Sequence, residues 1–215
     1  TWSNQDEAWV DVVAGIRRAI EDLSLLSAST SRAALPAIWN IPYPRNSFFT
    51  GRDETLSQLH TQLQAGQAIA LSQPPHAISG LGGIGKTQMA VEYAYRYARN
   101  YEAVLWARAE SNEILLSSYT TIATLLKLPE RNAEEQNVII EAVKAWLQTH
   151  NDWLLILDNA DDLALLTDFL PPVPGGSLLL TTRASTTGRI ARRTEVEAFT
   201  AEQGAVFLLR RAALL

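Results

Sequence analysis

The glycine-rich segment Gly80-Leu-Gly-Gly-Ile-Gly-Lys86-Thr87 has the spacing G-x-x-x-x-G-K-[ST] and lies between a predicted strand and a predicted helix. Its four glycines let the backbone turn with the N–H groups pointing inward, and the N-terminus of the next helix adds partial positive charge. The Lys86 ammonium can neutralise the outer phosphates, and the Thr87 hydroxyl can ligate Mg²⁺. The segment also contains a literal G-x-G-x-x-G, but the adjoining Lys-Thr pair favours a triphosphate site over a dinucleotide site.

A carboxylate, Asp158, directly follows the apolar strand predicted at residues 153–157. In an open α/β sheet the ligand lies beyond the carboxyl ends of the strands, so a carboxylate there can hold the waters around Mg²⁺. The alternative is an aspartate that only begins a turn. Because the phosphate loop lies upstream, we assign Thr87 and Asp158 as the metal-binding residues.

The residue after Asp158 is Asn159, at a position where many P-loop ATPases have a second acidic residue. An amide can orient water but cannot take its proton, so hydrolysis is expected to be slow, or to use Asp161 or another group. Replacing Asn159 by Asp is expected to accelerate it. Asp161 and Asp162 have an alternative role as the first residues of a helix, where the helix dipole favours negative charge.

Arg183 follows a second apolar strand, predicted at residues 177–182. If this strand lies beside the strand that ends at Asp158, the guanidinium reaches the terminal phosphate and discriminates ATP from ADP. The alternative is an exposed arginine with no ligand. The predicted catalytic residues are therefore Lys86, Asp158, Asn159 and Arg183.

Apolar strands alternate with helices through most of the chain. Helices are predicted at residues 52–63, 86–99, 112–127, 134–148 and 161–169, and strands at residues 68–71, 76–79, 103–107, 153–157, 177–182 and, more weakly, 195–199. Thr200 and Gln203 form a capping box for a last helix. This alternation predicts an α/β fold with a parallel sheet covered by helices on both faces. Together with the phosphate loop, it predicts a P-loop NTPase.

The chain is predicted to have four parts. Residues 1–28 have the apolar spacing of one amphipathic helix, and residues 29–48 contain a Ser/Thr run and Pro36, Pro42 and Pro44, which predicts a linker. Residues 49–199 form the nucleotide-binding domain, and residues 200–215 begin a helical subdomain. The chain is expected to be a piece of a longer protein.

Composition excludes several classes of protein. With 47% hydrophobic and 19% charged residues among 215, the chain is not disordered. A net charge of −5 does not argue for binding nucleic acid or an anionic membrane and is compatible with local basic patches only. Without cysteines and with three histidines, it has no disulfide framework, no thiol nucleophile and no His-rich metal site. No apolar run is long enough to cross a bilayer, so a cytoplasmic location is expected.

Four segments in this order resemble the NB-ARC group of STAND P-loop ATPases. They are Phe49-Thr-Gly-Arg52, the phosphate loop, the strand ending at Asp158, and Thr181-Thr-Arg183. The resemblance implies ADP or ATP with Mg²⁺ as ligands, adenine packed against residues 49–52, and Gln88 near the α-phosphate. The full predicted nucleotide-binding set is Phe49, Thr50, Gly51, Arg52, Gly80, Gly82, Gly83, Ile84, Gly85, Lys86, Thr87, Gln88 and Arg183.

The same resemblance implies a nucleotide-controlled switch. ADP would hold a closed form, and ATP would favour an open form that self-associates and activates an effector, with effector and sensor domains outside this chain. The sequences of residues 41–52 and 158–162 are similar to those of bacterial members of this group. By that resemblance, residues 1–28 of this chain would be the last helix of an N-terminal effector domain. The alternative is the ATPase module of a transcription regulator. A GTPase is disfavoured because the chain has no Asn-Lys-x-Asp segment, and a simple kinase is disfavoured by the sensor-like ending Thr182-Arg183.

Overall fold

A parallel sheet is the framework of the computed structural model, which describes residues 35–67, 76–171, 175–184 and 191–212. Within those residues the sheet has six strands, in the order β1-β3-β4-β5-β2-β6. They are β1 (Ile38–Trp39), β2 (His76–Ser79), β3 (Ala103–Arg108), β4 (Trp153–Asp158), β5 (Ser177–Thr182) and β6 (Arg192–Glu195). The helix predicted at residues 1–28 and the strand predicted at residues 68–71 lie outside the described residues.

Helices cover both faces of this sheet. They are α1 (Asp53–Gln67), α2 (Lys86–Arg96), α3 (Asn112–Leu125), α4 (Gln136–Thr149) and α5 (Ala201–Arg211), with single 3₁₀ turns at Ala98–Asn100, Pro129–Asn132 and Leu165–Asp168. Alternate residues of β4 face opposite sides: Leu155 packs with α3 and α4, whereas Ile156 packs with α1 and α2. Because both faces are covered, β4 and β5 are buried along their whole length. The predicted parallel sheet covered by helices on both faces is confirmed.

Residues 35–48, which the sequence assigns to a linker, contribute the edge strand β1. Ile38 and Trp39 pair with Ala103 and Val104 of β3. Just beyond, the Asn40 side-chain amide accepts from the backbone N–H of Trp106 at 2.6 Å and donates to the backbone carbonyl of Trp106 at 3.1 Å. The amide thus takes the place of the backbone of a longer edge strand. The chain from Leu35 onward therefore groups with the nucleotide-binding fold.

Arg45 fastens this same segment to the helix that follows the phosphate loop. Its guanidinium donates to both carboxylate oxygens of Glu92 in α2, at 3.0 and 2.8 Å. Glu92 is buried and also accepts from Arg96, which in turn pairs with Asp53 at the start of α1. A buried carboxylate needs such partners. This network therefore holds residues 35–48 against α1 and α2.

Two predicted elements have different bounds in the structure. The last strand is Arg192–Glu195 and not residues 195–199, because an edge strand pairs through its backbone and need not be apolar. Residues 161–169 contain only the 3₁₀ turn Leu165–Asp168, since the Asp161 carboxylate binds Arg183 and does not begin a helix. The capping box at Thr200 and Gln203 is confirmed. Among the described residues, no helix combines the length and the apolar content needed to cross a bilayer.

Candidate nucleotide-binding site

The phosphate loop connects the carboxyl end of β2 to the N-terminus of α2. Gly85, the residue before α2, has φ +95°, and a Cβ there would lie 3.1 Å from an Arg52 nitrogen. At Gly80 a Cβ would lie 2.8 Å from the Val196 carbonyl oxygen. By contrast, a Cβ at Gly82 or Gly83 would have no neighbour within 4 Å. The backbone therefore favours glycine at Gly80, Gly85 and also Gly83, whose φ is +77°, and the space beside Gly82 and Gly83 is open, which is compatible with a loop that cradles phosphates.

Lys86 lies in this loop with its ammonium at the loop's own carbonyls. The Nζ donates to the carbonyl oxygens of Gly80 at 2.8 Å and Leu81 at 2.9 Å. Burial lowers the pKa of Lys86, Asp161 and Asp158 oppose that shift, and Arg183 adds to it. The charges that act on this ammonium thus come from two other segments, 158–161 and Arg183, and the structure brings both of them to the phosphate loop.

Thr87 and Asp158 form the pair that would hold Mg²⁺. The Thr87 hydroxyl donates to Asp158 Oδ1 at 2.9 Å, and the Thr181 hydroxyl donates to the same oxygen at 2.6 Å. Burial raises the pKa of Asp158, and these two hydrogen bonds partly offset the rise. A hydroxyl and one carboxylate suit Mg²⁺, which takes its remaining ligands from phosphates and water.

No cluster of three or more His, Cys, Asp or Glu side chains suited to a metal occurs in the part of the chain that the structure describes. A nucleotide-dependent Mg²⁺ site at Thr87 and Asp158 is compatible with that finding, since Mg²⁺ is usually held by one or two carboxylates together with substrate phosphates. Thr181 was not among the predicted site residues. Its position in the strand next to Asp158 is the signal that could have identified it.

Arg183 lies at the carboxyl end of β5, which is the direct neighbour of β4. The condition for its predicted role, that these strands are adjacent, is therefore met. The guanidinium donates to Asp161 Oδ2 through Nε at 2.7 Å and pairs with it through Nη2 at 2.6 Å. The Arg183 N–H and the Thr182 hydroxyl donate to Asp161 Oδ1. Burial raises the pKa of Asp161, but the hydrogen bonds from Arg183 outweigh it and lower the pKa.

Asn159 adopts a left-handed backbone with φ 60°, which turns the chain directly after Asp158. Its N–H donates to the Thr181 hydroxyl at 2.9 Å, and its side-chain amide donates to Glu110 Oε1 at 2.9 Å. Glu110 follows β3 and was not among the predicted residues. The sequence did show an acidic residue just after the strand predicted at residues 103–107, which is a weak indication of a site residue.

Residues 49–52 lie against the phosphate loop. Arg52 is buried and donates to the Ile84 carbonyl at 2.7 Å, and its guanidinium lies 4.7 Å from the centre of the Phe199 ring. The Gly51 carbonyl accepts from Gln203 at 3.0 Å, which connects this segment to α5.

The remaining predicted ligand residues occupy the same region. Phe49 is partly buried against the core under α1 and α2, and the Thr50 hydroxyl accepts from Arg210 at 3.2 Å. Gln88 lies half-buried in the first turn of α2. Contact of residues 49–52 with adenine and of Gln88 with the α-phosphate stays a prediction.

Sequence comparison matches the family described as "NB-ARC domain" to residues 49–212. A nucleotide-binding leucine-rich repeat (NLR)-like protein of Hyaloscypha variabilis is 31% identical over 84% of this chain and 20% of its own length. The Regulatory protein AfsR of Streptomyces griseus is 31% identical over 63% of this chain and 14% of its own length. The chain thus spans a fifth or less of the length of these relatives.

Solved structures share the fold at low sequence identity. The ORC2 protein of Aeropyrum pernix, solved as ADPNP-ADP complexes, has a TM-score of 0.57 at 17% identity, covering 84% of this chain and 56% of its own. Cdc6p of Pyrobaculum aerophilum has a TM-score of 0.55 at 16% identity, covering 81% of this chain and 52% of its own. With the site geometry and the family match over residues 49–212, the chain belongs to the NB-ARC family and is a nucleotide-binding module of the STAND class of P-loop NTPases.

Proposed function

We propose that this module is a switch controlled by adenine nucleotide. The ADP form is closed, the ATP form self-associates and activates an effector domain outside this chain, and Mg²⁺-dependent hydrolysis returns the switch slowly to the ADP form. The observation that carries the proposal is the position of Arg183. It lies at the same sheet edge as Lys86 and Asp158, and its guanidinium is held by a single carboxylate, Asp161.

This arrangement suits a sensor because Arg183 can exchange partners. Its side chain is 70% exposed, so its ion pair with Asp161 is weak compared with a buried one. ATP supplies a terminal phosphate whose oxygens can compete with the carboxylate for this guanidinium, whereas ADP does not. Lys86 and the loop N–H groups would hold phosphates common to both nucleotides, and Thr87 with Asp158 would hold Mg²⁺.

A second candidate function is the ATPase module of a transcription regulator. It is favoured by the Streptomyces griseus relative, which is named Regulatory protein AfsR. The net charge of −5 argues against direct DNA contact by this chain, so we expect DNA binding, if the whole protein has it, to come from another domain. Nucleotide-dependent self-association of this chain, without DNA, favours the first function.

Replacing Lys86 by Ala is expected to weaken ADP and ATP binding about tenfold to a hundredfold, because a charge-assisted contact contributes about 1.5 to 3 kcal/mol. Isothermal titration calorimetry of the 215-residue chain measures both affinities. Lys144→Ala is the matched control, since that lysine pairs only with Glu141 on the surface of α4 among its hydrogen-bonded and ionic contacts in the described residues. Equal affinities in Lys86→Ala and wild type would contradict the site assignment.

Replacing Arg183 by Ala is expected to weaken binding of ATP, or of a non-hydrolysable analogue, by about 1 to 3 kcal/mol and to leave ADP binding nearly unchanged. The reason is that Arg183 is proposed to contact the γ-phosphate, which ATP has and ADP lacks. Arg99→Ala removes an exposed arginine beyond α2 and serves as the control. Equal losses for both nucleotides would mean that Arg183 acts structurally, and the sensor role would be rejected.

A further inference from the structure

We propose that Glu110 is the catalytic carboxylate that takes the proton from the attacking water, and that Asn159 is the residue that positions it. The inference rests on the hydrolysis in the proposed function and names the group that performs it. The observation behind it is the hydrogen bond from the Asn159 amide to Glu110 Oε1 at 2.9 Å. Asn159 stands where many P-loop ATPases have a second acidic residue, and it thus binds a carboxylate that lies just beyond the neighbouring strand β3.

The sheet register places this carboxylate at the correct edge. Arg108, the last residue of β3, lies opposite Asp158, the last residue of β4, and the Ala109 N–H donates to the Asp158 carbonyl at 2.7 Å. Glu110 is the next residue. It therefore leaves the sheet beside Asp158, on the side opposite β5 and Arg183. The Glu110 charge is also among the causes that raise the pKa of Asp158, which agrees with their proximity.

The two other carboxylates identified at this edge have other assignments: Asp158 is the proposed Mg²⁺ ligand, and Asp161 pairs with Arg183. Asp158 is buried and accepts from the Thr87 and Thr181 hydroxyls. Asp161 accepts from Thr182 and, through both oxygens, from Arg183, so its acceptor sites are filled.

Glu110 has room for a water. Among the hydrogen bonds of the described residues it accepts one on each oxygen, from Asn159 on Oε1 and from Arg108 on Oε2 at 2.6 Å, and a carboxylate has about four acceptor sites. Its side chain is 32% exposed, so solvent reaches it. Hydrogen bonds from Asn159 and Arg108 lower the pKa of Glu110, and the bond from Asn159 is the largest cause.

In the proposed step, Glu110 removes one proton from a water molecule as the water oxygen forms a bond to the terminal phosphorus. The bond from that phosphorus to the bridging oxygen breaks, and the electron pair leaves with ADP. Glu110 then releases its proton to solvent. ATP and water thus give ADP, inorganic phosphate and one proton, and no other reactant is needed.

The assignment reverses one sequence-based expectation. From the sequence alone, Asn159→Asp supplies a missing base and accelerates hydrolysis. With Glu110 in hydrogen-bond contact, the same change removes an amide donor and places two carboxylates side by side, which disfavours the charged form of both. We therefore expect Asn159→Asp to slow hydrolysis.

The test is single-turnover hydrolysis of ATP with Mg²⁺ by the 215-residue chain. Glu110→Gln is expected to slow it by about 10² to 10⁴, the usual contribution of a positioned base, while Mg²⁺-ATP affinity changes less than about twofold. Glu113→Gln, an exposed glutamate three residues further on, is the matched control and is expected to hydrolyse ATP at the wild-type rate. A wild-type rate for Glu110→Gln would overturn the assignment.

A second readout needs no nucleotide. An NMR titration of the carboxyl groups in the nucleotide-free chain measures the pKa of Glu110. The charged groups near this carboxylate are Arg108 and Asp158. Asn159→Ala is expected to raise the pKa of Glu110, whereas the pKa of Glu113 stays the same. An unchanged Glu110 pKa would reject the positioning role of Asn159.

The outcomes separate this proposal from the one on which it rests. Failure of wild type to bind ATP more tightly than Lys86→Ala would reject the switch itself. Normal binding combined with no turnover above the Lys86→Ala level would reject hydrolysis, and with it Glu110 as a base, but not the nucleotide-binding role.

Discussion

Replacing Gly176 by Ala is expected to destabilise the domain by about 3 kcal/mol, because overpacking a rigid core costs roughly 1 to 3 kcal/mol and sometimes more. A Cβ at Gly176 would lie 2.4 Å from the Trp153 carbonyl oxygen and 2.5 Å from a ring atom of the same tryptophan. Trp153 cannot move aside cheaply. It is fully buried at the start of β4, and its indole N–H donates to the carbonyls of Leu147 and His150.

Urea unfolding of the two proteins measures this effect. Gly204→Ala is the matched control, since a Cβ at Gly204 in α5 would meet nothing within 4 Å. Because glycine inside a helix costs about 0.5 to 1 kcal/mol relative to alanine, Gly204→Ala is expected to be neutral or slightly stabilising. If Gly176→Ala unfolds at the same urea concentration as wild type, the close approach of residue 176 to β4 is not a constraint on the fold.

The contact between Gly176 and Trp153 matters for the site because it fixes β4, the strand that ends at Asp158. The strand begins at Trp153, which Gly176 and α4 hold in place, and it ends at Asp158. β5 likewise runs from buried Ser177 to Thr182, with Arg183 directly after it, and it is the neighbour of β4. A misplacement of reacting groups by about 1 Å can cost a hundredfold in rate. Two strands buried on both faces are the rigid support that such a site needs.

The parts of this site that the sequence predicted are those set by local chemistry. The phosphate loop is defined by glycines within one short segment, and β4 and β5 are buried on both faces, so they are continuous apolar runs that the sequence displays. Asp158 and Arg183 were identified because each directly follows such a strand. Their positions depend only on parallel strands ending at the same edge.

The parts that the sequence did not predict depend on contacts between distant residues. Strand β1 has two residues, too few for a periodic pattern, and it is completed by the side chain of Asn40 across 66 residues of chain. The Asn159 to Glu110 hydrogen bond joins residues 49 apart, and the Arg183 to Asp161 contact joins residues 22 apart. Each of these side chains has several plausible partners along the chain. Only the strand order selects among them.

Replacing Asp158 by Asn is expected to separate folding from function. In the wild type, Mg²⁺ should raise the affinity for ATP. In Asp158→Asn we expect the ratio of ATP affinity with Mg²⁺ to ATP affinity without it to be about tenfold to a hundredfold smaller, because an amide is a poor ligand for a hard cation. Calorimetric titration of ATP with and without Mg²⁺ measures the increase. Asp168→Asn, which removes an exposed carboxylate, is the control. The Mg²⁺ assignment would be wrong if Mg²⁺ tightened ATP binding equally in both variants.

The same substitution should stabilise the protein when no Mg²⁺ is present. Burial raises the pKa of Asp158 in the folded state, so the folded protein binds this proton more tightly than the unfolded chain does. The stability contributed by the protonated form is present below the unfolded pKa and is lost as the pH rises through the folded pKa. At neutral pH the ionised, buried carboxylate is therefore unfavourable, and asparagine removes that charge while its oxygen can still accept from Thr87 and Thr181. We expect a higher Tm for Asp158→Asn at pH 7 and a smaller gain at pH 4; a lower Tm at pH 7 would mean that the ionised carboxylate stabilises the fold.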